Sequence, residues 1–120
     1  MQATAYDYGV AADACQVLSN PVRIHIIAVL SGTQRSFSVK ELADSVADVF
    51  GGGSKQNQVT LHHSHLPVLR EEGVIDYDSD AEMVARGPRF LAFAQLQYPV
   101  TVWGADNEGF DWNERESYGW

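Results

Sequence analysis

Apolar positions recur every three to four residues from about residue 10 to residue 70 and then switch to alternation, which predicts helices followed by a short sheet. Val10 to Leu18 reads as a short helix with Val10, Cys15, Val17 and Leu18 partly buried. Asn20-Pro21 is a start signal: Asn at the N-cap accepts from an early backbone N–H, and Pro at the first helical position forfeits no bond. Ile24, Ile26, Ile27, Val29 and Leu30 make the next helix apolar nearly all round, so it should be central, with Gly32 ending it.

A capping box, Ser38-x-x-Glu41, opens a third helix whose Val39, Leu42, Ala43 and Val46 share one face. Gly51-Gly52-Gly53 breaks it and leaves a flexible joint. Ser54 can then cap a longer helix reaching to about Glu72, with Val59, Leu61, Leu66, Val68 and Leu69 as its apolar content and Gly73 as its stop. Pro67 is the anomaly there, because it removes the bond to the carbonyl of His63 and should bend the helix.

Past Gly73, Val74–Asp78 and Glu82–Ala85 read as two strands joined by Ser79-Asp80-Ala81, a hairpin. Arg86-Gly87-Pro88 is a break before a last helix, which Pro99 should end. This order of elements is that of a winged helix-turn-helix: α+β, mainly α, with a two-stranded β-hairpin wing and a C-terminal helix. The expected organisation is a flexible lead over residues 1–9, the domain over 10–98, and an acidic, aromatic-rich tail over 99–120 that holds all three tryptophans.

Charge complicates that picture. Sixteen Asp and Glu against eight Lys and Arg give a net charge of −8, which by itself argues against a polyanionic partner. The distribution is uneven, however. Residues 14–70 carry five bases and three acids, a net of +2, whereas residues 71–85 carry six acids and no base. With only two lysines among the bases, the acid excess is the composition that a cytoplasm holding molar salt favours. The sequence shows no transmembrane or secretory segment, so the expected compartment is the cytoplasm and no membrane partner is expected.

Two stretches resemble known regulators. Leu18-Ser19-Asn20-Pro21-Val22-Arg23-Ile24 resembles the opening helix of ArsR-type winged-helix regulators, and His65-Leu66-Pro67-Val68-Leu69-Arg70-Glu71-Glu72-Gly73-Val74-Ile75 resembles the segment where their recognition helix ends and the wing begins. With His63-Ser64-His65-Leu66-Pro67 running through to Asp76-Tyr77-Asp78, the chain is most similar to an uncharacterised winged-helix domain of halophilic archaea, over roughly residues 12–97. The resemblance implies a transcriptional regulator of such an archaeon or its virus, makes Pro67 a family habit, sets His65 against the core and gives Arg23 a structural role beside the recognition helix. ArsR metal sensors carry a cysteine pair in the helix before the recognition helix. Residues 38–48 have none here, so that mode of sensing is not expected.

On this reading the partner is double-stranded DNA. Ser54, Lys55, Gln56, Asn57, Gln58, Thr60 and His63 would face the major groove, since Gln and Asn pair bidentately with adenine and Lys meets phosphate or guanine. Arg35, Ser38, Lys40, His62 and Arg86 would hold phosphates or the minor groove, although pairing with the acids of 71–82 is the simpler use of Arg86 and Arg89. The acidic hairpin tip, Asp78-Ser79-Asp80, is the obstacle. A homodimer is expected through Val10, Val17, Phe90, Leu91, Phe93 and Leu96, presenting two recognition helices to a pseudo-palindrome. The alternative is a protein-interaction module that no longer binds DNA and uses its acidic wing and aromatic tail.

Other constellations fall away. His62, His63 and His65 lack a carboxylate or cysteine at short range to complete a metal site. The acids of 76–82 miss the glycine and the bidentate glutamate of a calcium loop. Gly51–Lys55 follows a helix rather than a strand and lacks phosphate-loop spacing. Cys15 reads as a small core hydrophobe, and no nucleophile–base set is visible. No enzyme activity, cofactor or metal is therefore expected.

Overall fold

In the computed structural model the backbone is described over residues 8–106 and the side chains over 8–99. The described chain is α+β and mainly helical. α1 (Tyr8–Val17) leads into α2 (Pro21–Ser31), where the Asn20 side chain accepts from the N–H of Val22 at 2.9 Å as the sequence predicts. α3 (Val39–Phe50) opens on both bonds of the capping box: the Glu41 N–H donates to Ser38 Oγ at 3.0 Å, and the Ser38 N–H to Glu41 Oε1 at 2.9 Å. α4 (Ser54–Thr60) continues without a break through a π-helical turn (Leu61–His65) into α5 (Leu66–Glu71).

The π turn answers the Pro67 problem. At its end the N–H of Leu66 bonds to the carbonyl of Leu61, five residues back, so the backbone is already widened where the proline ring would strike an α-helical turn. Gly73, at φ +76°, then closes α5 as a Schellman cap, its N–H donating to Arg70 and that of Val74 to Leu69.

β2 (Ile75–Asp78) and β3 (Met83–Arg86) form the hairpin, with Tyr77 opposite Val84. β3 starts one residue later than the alternation suggests. Asp78 Oδ1 accepts from the N–H groups of Asp80 and Ala81, and Glu82 takes φ +55° to complete the reversal. A third strand, β1 (Phe37–Ser38), pairs antiparallel with β3, so the sheet order is β1-β3-β2. Nothing local marks those two residues as a strand; only the distant partner makes them one.

α6 (Phe90–Asp106) runs through Pro99 rather than ending there. Gln95 and Pro99 are both exposed, so the carbonyl that loses its helical donor faces water, where the cost is small. The last helix thus extends into the stretch expected as tail, and α1 starts at Tyr8, inside the stretch expected as a lead. The remainder of the expected tail, 107–120, and residues 1–7 lie outside the described residues. Among the described residues no single helix is long and apolar enough to cross a membrane.

Ile26, Ile27 and Leu30 of α2, Leu42 and Ala43 of α3, Leu61, Leu66 and Leu69 of the long rod, Ile75 and Val84 of the hairpin, and Phe90 and Phe93 of α6 close around one core. Each large side chain removed from water there contributes roughly 1.5–3 kcal/mol before entropy is charged against it. Cys15, expected inside, is exposed on α1, where Ala14 and Val17 take the inward positions.

Candidate functional site

α3 and α4 meet through a tight turn in which Gly51 and Gly52 both hold φ near +87° (+86° and +87°). The Asn57 amide locks this turn, donating to the carbonyl of Gly51 at 3.2 Å. Ser54 does not cap α4. It is the first helical residue, and its hydroxyl donates to Asp44 Oδ1 at 2.6 Å, joining α4 to α3. That bond, with the Lys40 ammonium at 3.0 Å on the other carboxylate oxygen, holds Asp44 below the usual carboxylate range. The joint read as flexible is therefore tied at both ends.

This docking fixes which side chains of the rod face outward. Exposed positions recur in pairs at Lys55 and Gln56, Val59 and Thr60, and His63 and Ser64, a stripe at helical spacing. The side chains of Lys55, Gln56 and His63 make no hydrogen bond or ion pair with any described residue. The Thr60 hydroxyl donates back to the carbonyl of Gln56 at 3.1 Å. Gln58 is half-buried, with its amide 3.4 Å from Ser54 Oγ, and Asn57 is committed to the glycine turn, so neither is presented like Gln56.

Beside the stripe, Arg35 pairs with Glu41 at 3.0 Å, lies 3.9 Å over the Phe37 ring and donates to the carbonyl of Ser36. The Arg35 guanidinium, then the Ser38 N–H, pull Glu41 below the usual carboxylate range. Lys40 pairs with Asp44, and the Ser38 hydroxyl oxygen accepts from the Glu41 N–H in the cap. The Arg35 and Lys40 pairs are exposed, where such contacts are worth little.

His62 turns away from the stripe toward the hairpin. Its Nδ1 bonds the Tyr77 hydroxyl, and its Nε2 lies 3.5 Å from the Glu82 carboxylate. Burial pushes the Tyr77 hydroxyl above its ordinary value. Arg70 sits 5.3 Å over the Tyr77 ring and is otherwise unpaired among the described residues. The expected contacts omitted it, yet it is an exposed cation seven residues beyond His63, and that spacing was the signal available.

Arg86, expected at phosphates or the minor groove, is engaged within the fold. Its guanidinium reaches 3.0 Å to the carbonyl of Leu30, 3.3 Å to that of Ser31 and 3.2 Å to that of Thr33, closing the C-terminal end of α2. Arg89 donates to the carbonyl of Glu72 and lies 3.8 Å from its carboxylate, as the simpler pairing reading has it. Arg23 is structural too, capping α1 at the carbonyls of Val17 and Gln16. His65 is buried with its Nδ1 unpartnered, beside a cavity of about 40 Å³ that Asn57 and Thr60 also line. Burial, then the Arg23 charge, lowers its pKa.

The expected dimer residues divide as well. Val17 of α1 and Phe90 and Phe93 of α6 are at most 2% exposed and belong to the chain's own core. Leu91, at 63%, and Leu96, at 55%, remain on the outer face with Tyr98, and Val10 is exposed on α1.

Residues 15–85 match the family described as a domain of unknown function, DUF7344, which is more than half of the chain. The chain belongs to this family. The DUF7344 match takes in α2 to α5, β1, β2 and most of β3, and so includes the whole exposed stripe. Arg86 and α6 lie beyond the part matched to DUF7344. No curated protein and no solved structure matches the chain.

Proposed function

We propose that this protein is a sequence-specific DNA-binding regulator built as a winged helix-turn-helix, with α3 and α4–α5 as the helix pair and the β2–β3 hairpin as the wing. The observation that carries the reading is the exposed stripe of α4: Lys55, Gln56 and His63 have hydrogen-bonding capacity and no described residue to use it on. A buried network would have consumed those groups, and a merely solvated face in so acidic a chain would be expected to carry carboxylates. None occurs from Phe50 to Arg70.

In this reading Gln56 and His63 read base edges from the major groove, while Lys55 and Arg70 hold phosphates. Arg35 and Lys40 can exchange weak exposed pairs for phosphate contacts. Asp78 and Asp80 at the hairpin tip lie in a salt-screened environment if the host cytoplasm is molar in salt. There the Debye length is about 3 Å, and only direct contacts repel. The resemblance to ArsR-type winged-helix regulators, and to an uncharacterised winged-helix domain of halophilic archaea, supports the same reading and makes the cytoplasm the expected compartment. A second copy would join through the outer face of α6, a helix with no charged residue from Phe90 to Ala105, which sedimentation at working salt can check.

The test is a titration of labelled genomic fragments in KCl from low to molar concentration, with the wild-type chain and a Lys55→Glu/Gln56→Ala variant. Selective binding that the variant loses is the expected result. Absence of selective binding at every salt concentration rejects the proposal and favours the protein-interaction alternative, in which the exposed carboxylates of the hairpin meet a protein partner.

A further inference from the structure

Val59 belongs by pattern to the apolar content of its helix, yet it is 52% exposed. It lies in the middle of the stripe, three residues after Gln56 and four before His63, flanked by Thr60. The hydroxyl hydrogen of Thr60 is already given to the carbonyl of Gln56, which leaves that residue its methyl group and its oxygen lone pairs. Two adjacent side chains rich in methyl groups thus interrupt an otherwise polar surface, and Leu61, Leu66 and Leu69 fill the core without Val59.

We infer that Val59 is a specificity-determining residue that packs on the C5-methyl group of a thymine. The inference rests on the DNA-binding reading and deepens it. In the major groove only thymine among the four bases presents a methyl group, and an apolar side chain is the complement to it. Gln56, one helical turn earlier, has the paired donor and acceptor that suit adenine N6 and N7. Together they predict that the preferred site carries A·T pairs at the positions this half of α4 reaches. Lys55 at the start of the stripe sets the register by holding the backbone.

The test uses the full chain at molar KCl. A preferred duplex is first selected from a randomised pool, and each thymine in it is then replaced singly by deoxyuridine, which differs only by that methyl group. For wild type, one replacement should weaken binding about fourfold, the worth of one buried methyl. In Val59→Ala the same replacement should cost less than about half of that factor. If every thymine tolerates uracil equally, or if the variant keeps the wild-type sensitivity, the inference is overturned while DNA binding stands. If no duplex is selected at any salt, the DNA-binding reading falls and this inference with it. The uracil series is run on the wild-type chain, so its result does not depend on how any variant folds.

Discussion

Arg86 and Arg89, at the foot of the hairpin, give their guanidinium N–H groups to backbone carbonyls, whereas Lys55 and Arg70 on the long helical rod donate to no described residue. The same contrast separates two histidines two positions apart: His65 is buried against the core, and His63 is exposed. On one side of the molecule polar side chains finish the fold, closing helix ends whose last carbonyls have no helical donor. On the other side Lys55, His63 and Arg70 close no helix end among the described residues. A cation's position in sequence does not decide which kind it is; the presence of orphan carbonyls within its reach does.

The largest way to test the structural side is Gly87→Ala. A Cβ at Gly87 would lie 2.6 Å from the carbonyl oxygen of Gly73 and 2.8 Å from the backbone of Ile75, atoms that cannot step aside without opening the hairpin. Destabilisation on the order of 3 kcal/mol is expected, read as a drop in the thermal midpoint by circular dichroism. Next is Arg86→Met, which keeps much of the stem over Phe90 but leaves the carbonyls of Leu30, Ser31 and Thr33 without their donor. About 2 kcal/mol should be lost. If DNA affinity collapses while stability holds, Arg86 belongs on the other side of the comparison.

Much of the fold was legible because its signals are local. Asn20-Pro21, the Ser38–Glu41 capping box and Gly73 each act within a few residues of themselves, and each appears as the expected bond or cap. What escaped depends on distant partners. Phe37–Ser38 becomes a strand only by pairing with β3, and Pro67 is absorbed by a π turn that no residue in Leu61–His65 announces. The same holds for the candidate site. The winged-helix reading turned Lys55, Gln56 and His63 toward the groove, but it could not show that Asn57 is consumed by the glycine turn or His62 by Tyr77. Nor could it show that Val59 is left outside, because that follows from how α4 docks on α3.

A smaller effect separates the two sides by pH. Burial lowers the pKa of both His65 and His25, so the fold favours their neutral forms. The unfolded chain takes up those protons near its ordinary value of about 6.5. The stability they contribute is complete above that value and is lost as pH falls through their depressed folded values. The thermal midpoint in fixed KCl should therefore fall as the pH drops below about 6.5, and His65→Gln should shallow that fall. A flat profile below about pH 6.5 would count against the burial of His65 and the partial burial of His25. A second loss at lower pH is expected from Glu41 and Asp44, whose depressed carboxyls give up their partners only when protonated.

The smallest effect on stability is the sharpest test of the comparison. Lys55→Gln removes an exposed cation that pairs with no described residue, so its thermal midpoint should match wild type within the equivalent of about 0.5 kcal/mol. If Lys55 meets a phosphate, the dependence of log affinity on log salt should flatten by about one unit, because one fewer counterion is released on binding. That change should be similar for all duplexes, since a phosphate contact carries no sequence information, whereas Gln56→Ala should alter preference among them. A Lys55→Gln chain that loses stability, or one that binds with an unchanged salt slope, would show that the rod's open cations are not the counterpart of the engaged ones at the hairpin. The distinction between spent and unspent polar groups would then need another basis than their hydrogen bonds.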